Sequence, residues 1–293
     1  KAARAAKLCK ADLVTHMVGE FPSLQGQMGG IYARTSGEDE QVARAVEEHY
    51  LPRSASDIEQ NVLPETTEGC IVSIADRLDN VAACFALGLT PRGDQDPYAL
   101  RRSALGMLAI IKARGLRLNI PGLLEDAAEG VGQNSKIGHE QLVSEMLDFV
   151  AVRIRTQILN EGLAAPDTVE AVTRGGVDDY IEVIKKAEAL TRFRERPDFE
   201  NLATSFRRVG NILENYHSEH VDESLLVEEA EKELWEAFGK KKKQVEELAE
   251  KGDYYRALEV MAELRPAVDK FFDHVLVNNP DDPRGRDNRH SIL

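Results

Sequence analysis

Apolar residues return along this chain at helical intervals, and no run alternates apolar and polar in the way a half-buried strand requires. The clearest stretch opens at Asp96-Pro97, where Asp suits the N-cap and Pro the first helical position. Leu100, Ala104, Met107, Leu108 and Ile111 then fall on one stripe, and Gly115 is placed to stop the helix. Similar spacing predicts helices near 39–50, 70–87, 139–161, 176–194, 198–215, 222–250 and 253–276. The fold class that follows is all-α. Pro121, Gly122, Gly130, Gly132 and Gly138 surround a short acidic helix, which places a linker at about 115–138 and divides the chain into halves 1–138 and 139–293. The stretch Asn278–Asn288, rich in Asn, Asp, Pro and Gly, is expected to be irregular.

With 293 residues, 42% of them hydrophobic, the chain can bury a core or two. No run of 18 apolar residues occurs, so no membrane-spanning helix is expected. Lys1–Lys10 is basic and lacks the apolar stretch of a signal peptide, and the absence of an initiator Met points to a piece of a longer chain. Cys9, Cys70 and Cys84 match neither a zinc nor a disulfide spacing and read as reduced thiols of a cytoplasmic protein. The balance of 51 acidic against 37 basic residues, net −14, runs against nucleic-acid binding. A local basic stripe can still act within a Debye length of roughly 8 Å.

Several groups of residues have chemistry to offer. Gly26, Gly29 and Gly30 have the look of a phosphate loop, but they follow no strand and lack a Gly-Lys-Ser/Thr ending; a turn or a close helix approach is the plainer reading. Arg92, Arg101 and Arg102 flank a helix start, a place suited to a phosphate, unless Arg101 or Arg102 pairs with Asp76 or Asp79. In the second half, Arg153 and Arg155 share one helix, and Lys185 and Lys186 lie on the next, followed by Arg192, Arg194 and Arg196. Arg207, Arg208 and Asn211 lie within about a turn of one another. Guanidinium groups can fork onto phosphates, and Asn can read a base edge. Phe193, Phe199 and Phe206 are interleaved with these cations and serve either as stacking platforms or as core. Lys240–Lys243 is either a phosphate contact or a solvated helix face, and Trp235 reads as packed.

Four segments carry a resemblance. Lys10-Ala-Asp-Leu-Val-Thr-His-Met-Val-Gly-Glu-Phe-Pro-Ser-Leu-Gln-Gly-Gln-Met-Gly29 is similar to a KADL-T-MV-EFPELQG-MG pattern, and Ile74-Ala-Asp-Arg-Leu-Asp79 to ADKLD. Leu89-Thr-Pro-Arg-Gly-Asp-Gln-Asp-Pro-Tyr-Ala-Leu-Arg-Arg102 is similar to GxxPTGSKDPFALRR, and Ser205-Phe-Arg-Arg-Val-Gly-Asn-Ile212 to FKRVxNI. In this order they resemble the β subunit of the bacterial-type glycyl-tRNA synthetases; the tail Asn288–Leu293 departs from the family's usual ending.

The resemblance implies a degenerate HD-type helical domain over 1–138 and a helical, DALR-like anticodon-binding domain over 139–293. It implies a tRNA-holding portion of a glycine–tRNA ligase, partnered by tRNA(Gly), the remaining β-subunit domains and an α subunit. ATP and Mg would be used in the α subunit, with no cofactor and no catalytic residue in this piece, and with neither DNA nor membrane as partner. The RNA-binding candidates are Arg101, Arg102, Arg153, Arg155, Arg192, Arg196, Arg207, Arg208 and Asn211. An HD-type metal site needs a His-Asp pair; here Ala11-Asp12 stands at that place. Asp12, His49 and Asp76, with His16 as a substitute, are therefore only an incomplete ligand set, and no metal is expected. Two alternatives remain open, a metal-dependent HD-type phosphohydrolase and a purely structural module joining subunits.

Overall fold

A computed structural model describes residues 1–213, 216 and 220–293. Among them no strand is formed, and sixteen α-helices follow one another. They divide into two compact units, residues 1–162 with 169–184, and residues 163–168 with 185–293.

The first unit is built around one long helix. Its helices are α1 (Ala2–Leu8), α2 (His16–Glu20), α3 (Gln27–Thr35), α4 (Glu40–Glu48), α5 (Ala55–Glu59), α6 (Thr67–Ala86), α7 (Leu100–Arg114), α8 (Ile120–Val131) and α9 (His139–Asn160). Most of α10 (Pro166–Thr173) and the first residues of α11 (Tyr180–Arg194) complete it. Thr66 caps α6 by accepting from the Gly69 N–H at 3.0 Å. Val72, Ile74, Leu78, Val81 and Phe85 then bury themselves among α1, α4, α7, α8 and α9. Each such side chain contributes about 1.5–3 kcal/mol by leaving water. Phe85 meets Phe149 of α9 edge to face, centroids 5.1 Å apart. The predicted stripe of α7 is buried as expected, and Gly115 ends that helix at φ +61°.

Both plain readings of the glycines in α3 hold. Gly26 takes φ +80° at the N-cap, and a Cβ on Gly29 or Gly30 would stand 2.9 Å from Val46 Cγ1 or Glu47 Cβ of α4. The stretch read as a linker contains α8, which packs on α6 and α9. Helix α9, expected to open the second half, packs on α6, α7 and α8, so the first unit continues through Gly162 and the division falls later than residue 138.

The second unit contains the rest of α11, α12 (Phe199–Leu213), α13 (Glu229–Glu250), α14 (Tyr254–Ala262), α15 (Arg265–His274) and α16 (Pro283–Ile292). The end of the helix expected over 198–215 falls on residues 214 and 215, outside the described residues. Leu234, Val268, Phe271, Phe272 and Ile292 form the heart of its core. Three expectations change here. The helix predicted from 222 begins at Glu229, after a short 3-10 turn over Glu223–Leu225. The helix predicted over 253–276 is two, because Pro266 cannot donate within a helix interior and instead sits in the first turn of α15. The end expected to be irregular is partly helical: Asp282 accepts from the Gly285 N–H at 3.0 Å, and Pro283 follows at the first helical position of α16.

Candidate nucleic-acid interface

The α7 start is the first place where cations gather. The helix begins at Leu100 rather than at Pro97, because Ala99 adopts the left-handed conformation at φ +54°. Asp96 still supplies the cap: its carboxylate accepts from the Leu100 N–H at 2.8 Å and the Arg101 N–H at 2.9 Å. Arg101 donates from its side chain to the Gly93 carbonyl, and Arg102 is exposed with no hydrogen-bond or ion-pair partner among the described residues. Neither pairs with Asp76 or Asp79. Asp76 pairs with Lys10 instead.

The arginine drawn inward in this region is the half-buried Arg77, one that sequence reasoning passed over. It donates to the Pro52 carbonyl at 2.8 Å and the Tyr50 carbonyl at 3.2 Å, and its guanidinium fills the space left by Gly106. Burial pulls its pKa down to about 10, with Asp76 opposing and Arg102 adding to the effect. On α9, Arg153 lies over the Phe149 ring at 4.2 Å. Burial, with the Arg101 charge nearby, lowers its pKa, so these two candidates share one neighbourhood. Arg155 points elsewhere and donates to Thr173 Oγ1 at 2.9 Å.

Asp12 and His49, considered for metal, are each tied into the fold through one of their polar atoms. Asp12, 1% exposed, accepts from the Gly26 N–H at 2.6 Å and the Gly29 N–H at 3.2 Å. His49 Nδ1 lies 2.6 Å from the Val46 carbonyl. A carbonyl only accepts, so Nδ1 carries the proton and Nε2 keeps its lone pair. His49 Nε2, Asp12 Oδ1 and the Tyr50 hydroxyl have no hydrogen-bond partner among the described residues. The His49 and Tyr50 rings lie 3.8 Å apart. Among the described residues no group of three His, Cys, Asp or Glu side chains is placed to hold a metal ion. With Ala11 standing before Asp12, the donor set lacks the imidazole of a His-Asp pair.

Burial lowers the His49 pKa from its ordinary 6.5, with Lys10 acting the same way, against the Val46 hydrogen bond, Asp76 and Asp12. The unfolded chain then takes up a proton that the folded one refuses. His49 should cost stability as pH falls through about 6.5, with a slope of up to about 1.4 kcal/mol per pH unit. Urea unfolding at pH 7.5 and pH 5.5 should give a smaller difference for His49→Gln than for the parent; equal differences would exclude His49 as the titrating group.

In the second unit the structure sorts the cations by whether a carboxylate already holds them. Arg196 is held by Asp198 at 2.9 Å and Glu259 at 3.3 Å, and Arg194 by Asp167 at 2.7 Å. Lys240, Lys242 and Lys243 each face a glutamate on the same helix, and Lys241 pairs with Glu263. That run is a solvated, self-paired helix face. Arg192, Arg207 and Arg208 have no carboxylate partner among the described residues. Arg192 lies 4.1 Å over the Tyr255 ring and Arg208 4.1 Å over Phe272. Arg207 and Asn211, one turn apart on α12, are both exposed. Phe193 is buried, edge-on to Phe199 and Tyr255, and is core rather than platform. Trp235 is packed too, stacked on Phe238 with its indole N–H on Glu223 at 3.1 Å. Sequence reasoning missed Tyr254 and Tyr255; the adjacent aromatic pair straight after Gly252-Asp253 was the available signal.

The open side of α12 lies in a segment with relatives of known role. Residues 202–293 match the DALR anticodon binding domain, and residues 1–174 match the glycyl-tRNA synthetase β subunit. The chain is 44% identical over 277 residues to a glycine–tRNA ligase β subunit of Geobacter sulfurreducens, covering 94% of this chain and 39% of that protein. It is 43% identical over 293 residues to that of Geotalea daltonii, and 41% over 290 residues to that of Clostridioides difficile, covering 42% and 41% of those proteins. The chain thus spans about two-fifths of the length of these relatives. With a family match across more than half of its residues, the chain belongs to the glycyl-tRNA synthetase β-subunit family.

Proposed function

We propose that this chain is a tRNA-holding portion of a glycine–tRNA ligase, and that α12 carries its anticodon contact. The observation behind this reading is that Arg207, Arg208 and Asn211 stay open, without carboxylate partners among the described residues, inside the segment that matches an anticodon-binding domain. Anticodon bases are unpaired, so their edges and faces are accessible to side chains. Arg207 supplies charge and donors, and Asn211, one turn on, supplies an amide able to pair with a base edge. The role is orientation and selection rather than bond-making. Amino-acid activation with ATP and Mg belongs, in this reading, to an α subunit, and the tRNA body is held with the help of the remaining β-subunit domains. Arg101, Arg102, Arg153 and Arg155 are the candidates for body contact.

The test is a titration of this chain with a glycine tRNA transcript, alongside one with altered anticodon bases, at two salt concentrations. Tighter binding to the intact anticodon is expected. Arg207→Ala with Asn211→Ala should weaken it by about tenfold, the loss of a hydrogen bond to a charged group being roughly 1.5–3 kcal/mol. Equal affinity for both transcripts, unaffected by these substitutions, would overturn the anticodon assignment.

A further inference from the structure

The side of α11 facing the start of α14 carries a second set of cations that no carboxylate among the described residues holds. Lys185 and Arg192 are seven residues apart, two helical turns, and so share a face. Both are exposed, and neither makes an ion pair there. Arg192 has an exposed acidic neighbour, Glu188, one turn before it, yet its guanidinium lies 4.1 Å over the Tyr255 ring instead of pairing there. Lys186 reaches the neighbouring ring, Tyr254, at 5.3 Å. Lys185 rests against the turn before α14: a Cβ on Gly252 would come within 3.3 Å of its Nζ. Two nearby arginines are paired, Arg194 with Asp167 and Arg256 with Asp253. The cations stand on α11, between the two matched segments, whereas Tyr254 and Tyr255 lie within the second.

A guanidinium stacked on a tyrosine keeps its second face for another flat ring, and an unpaired base is such a ring. Two ammonium groups beside it suit the phosphates on either side of that base. We propose that Lys185, Lys186 and Arg192, set against Tyr254 and Tyr255, form a second RNA contact on this unit, which grips an unpaired stretch of the same tRNA by stacking and charge. It rests on the tRNA reading above and adds a contact that the α12 assignment does not contain.

Binding of the glycine tRNA transcript to the full 293-residue chain tests it. Arg192→Ala with Lys185→Ala should raise Kd about tenfold, in line with the removal of one stacked base, and should flatten the slope of log affinity against log salt by about 0.7 for each phosphate no longer neutralised. Tyr255→Phe, which keeps the ring, should leave Kd unchanged, whereas Tyr255→Leu should weaken binding. Thermal unfolding of the free variants separates a binding loss from a folding loss. A parent that binds, responds to Arg207→Ala and ignores the Arg192 and Lys185 substitutions would overturn this contact alone. A parent that binds no transcript would overturn it together with the tRNA reading.

Discussion

Replacing Glu231 with Ala should lower the unfolding free energy of the second unit by about 3–5 kcal/mol, because it strands a buried guanidinium. Glu231 is 1% exposed. One carboxylate oxygen accepts from the Val227 N–H at 2.7 Å and the Glu228 N–H at 2.9 Å, closing the start of α13, and the other accepts from Arg289 Nε at 2.7 Å. Arg289 is itself buried, with only Asp282 at 3.5 Å and the Leu276 carbonyl at 3.4 Å as further partners among the described residues. The substitution therefore removes a cap and a counter-charge in one step. Trp235, one turn along α13 and the only tryptophan, provides a fluorescence readout for urea unfolding. Glu231→Leu combined with Arg289→Met should be less damaging than Glu231→Ala alone, since no charge is then left unpaired. A loss below about 1 kcal/mol for the single substitution would mean that solvent already reaches this pair.

Asp12→Ala should destabilise the first unit by about 2–4 kcal/mol. The Asp12 carboxylate ties the 3-10 turn Ala11–Val14 to the beginning of α3 through the Gly26 and Gly29 N–H groups. Both are helix-start donors with no intrahelical acceptor, and the site is buried. Without the carboxylate they stay desolvated and unpaired. Asp12→Asn keeps one acceptor oxygen and should lose less. Amide hydrogen exchange gives the direct readout: Gly26 and Gly29 should lose protection in Asp12→Ala before the amides of α6 do. Unchanged protection at both glycines would refute the role given to Asp12.

The long helices were legible because each writes its own burial into its spacing. For α6, α7 and α9, period and punctuation place both ends within a few residues. The shorter helices α2 and α5 offer too few turns for a period to show, and they depend on caps at Thr15 and Ser54. The end of the chain was misread because Asn, Asp, Pro and Gly mark loops and helix starts alike; Asp282-Pro283 is a start. For the candidate site, residue type and spacing found the cations but not their partners. Arg196 is held by Asp198, two positions on, but also by Glu259, 63 positions away, and the half-buried arginine of the first unit proved to be Arg77 because Gly106 leaves room for it. Such pairings belong to tertiary packing, which a periodic pattern does not encode. The four segments that suggested the family, by contrast, are local strings, and the matched family agrees with them.

The carboxylate at the head of α7 bears on how that end of the helix meets an anion. Asp96 already sits on the two amides that a phosphate would seek, and the chain holds it there at an effective concentration on the order of millimolar or above. It behaves as a tethered competitor. Free phosphate would have to displace an occupant that never diffuses away, and only a polyanion anchored at other points, with an effective concentration of its own, competes on equal terms.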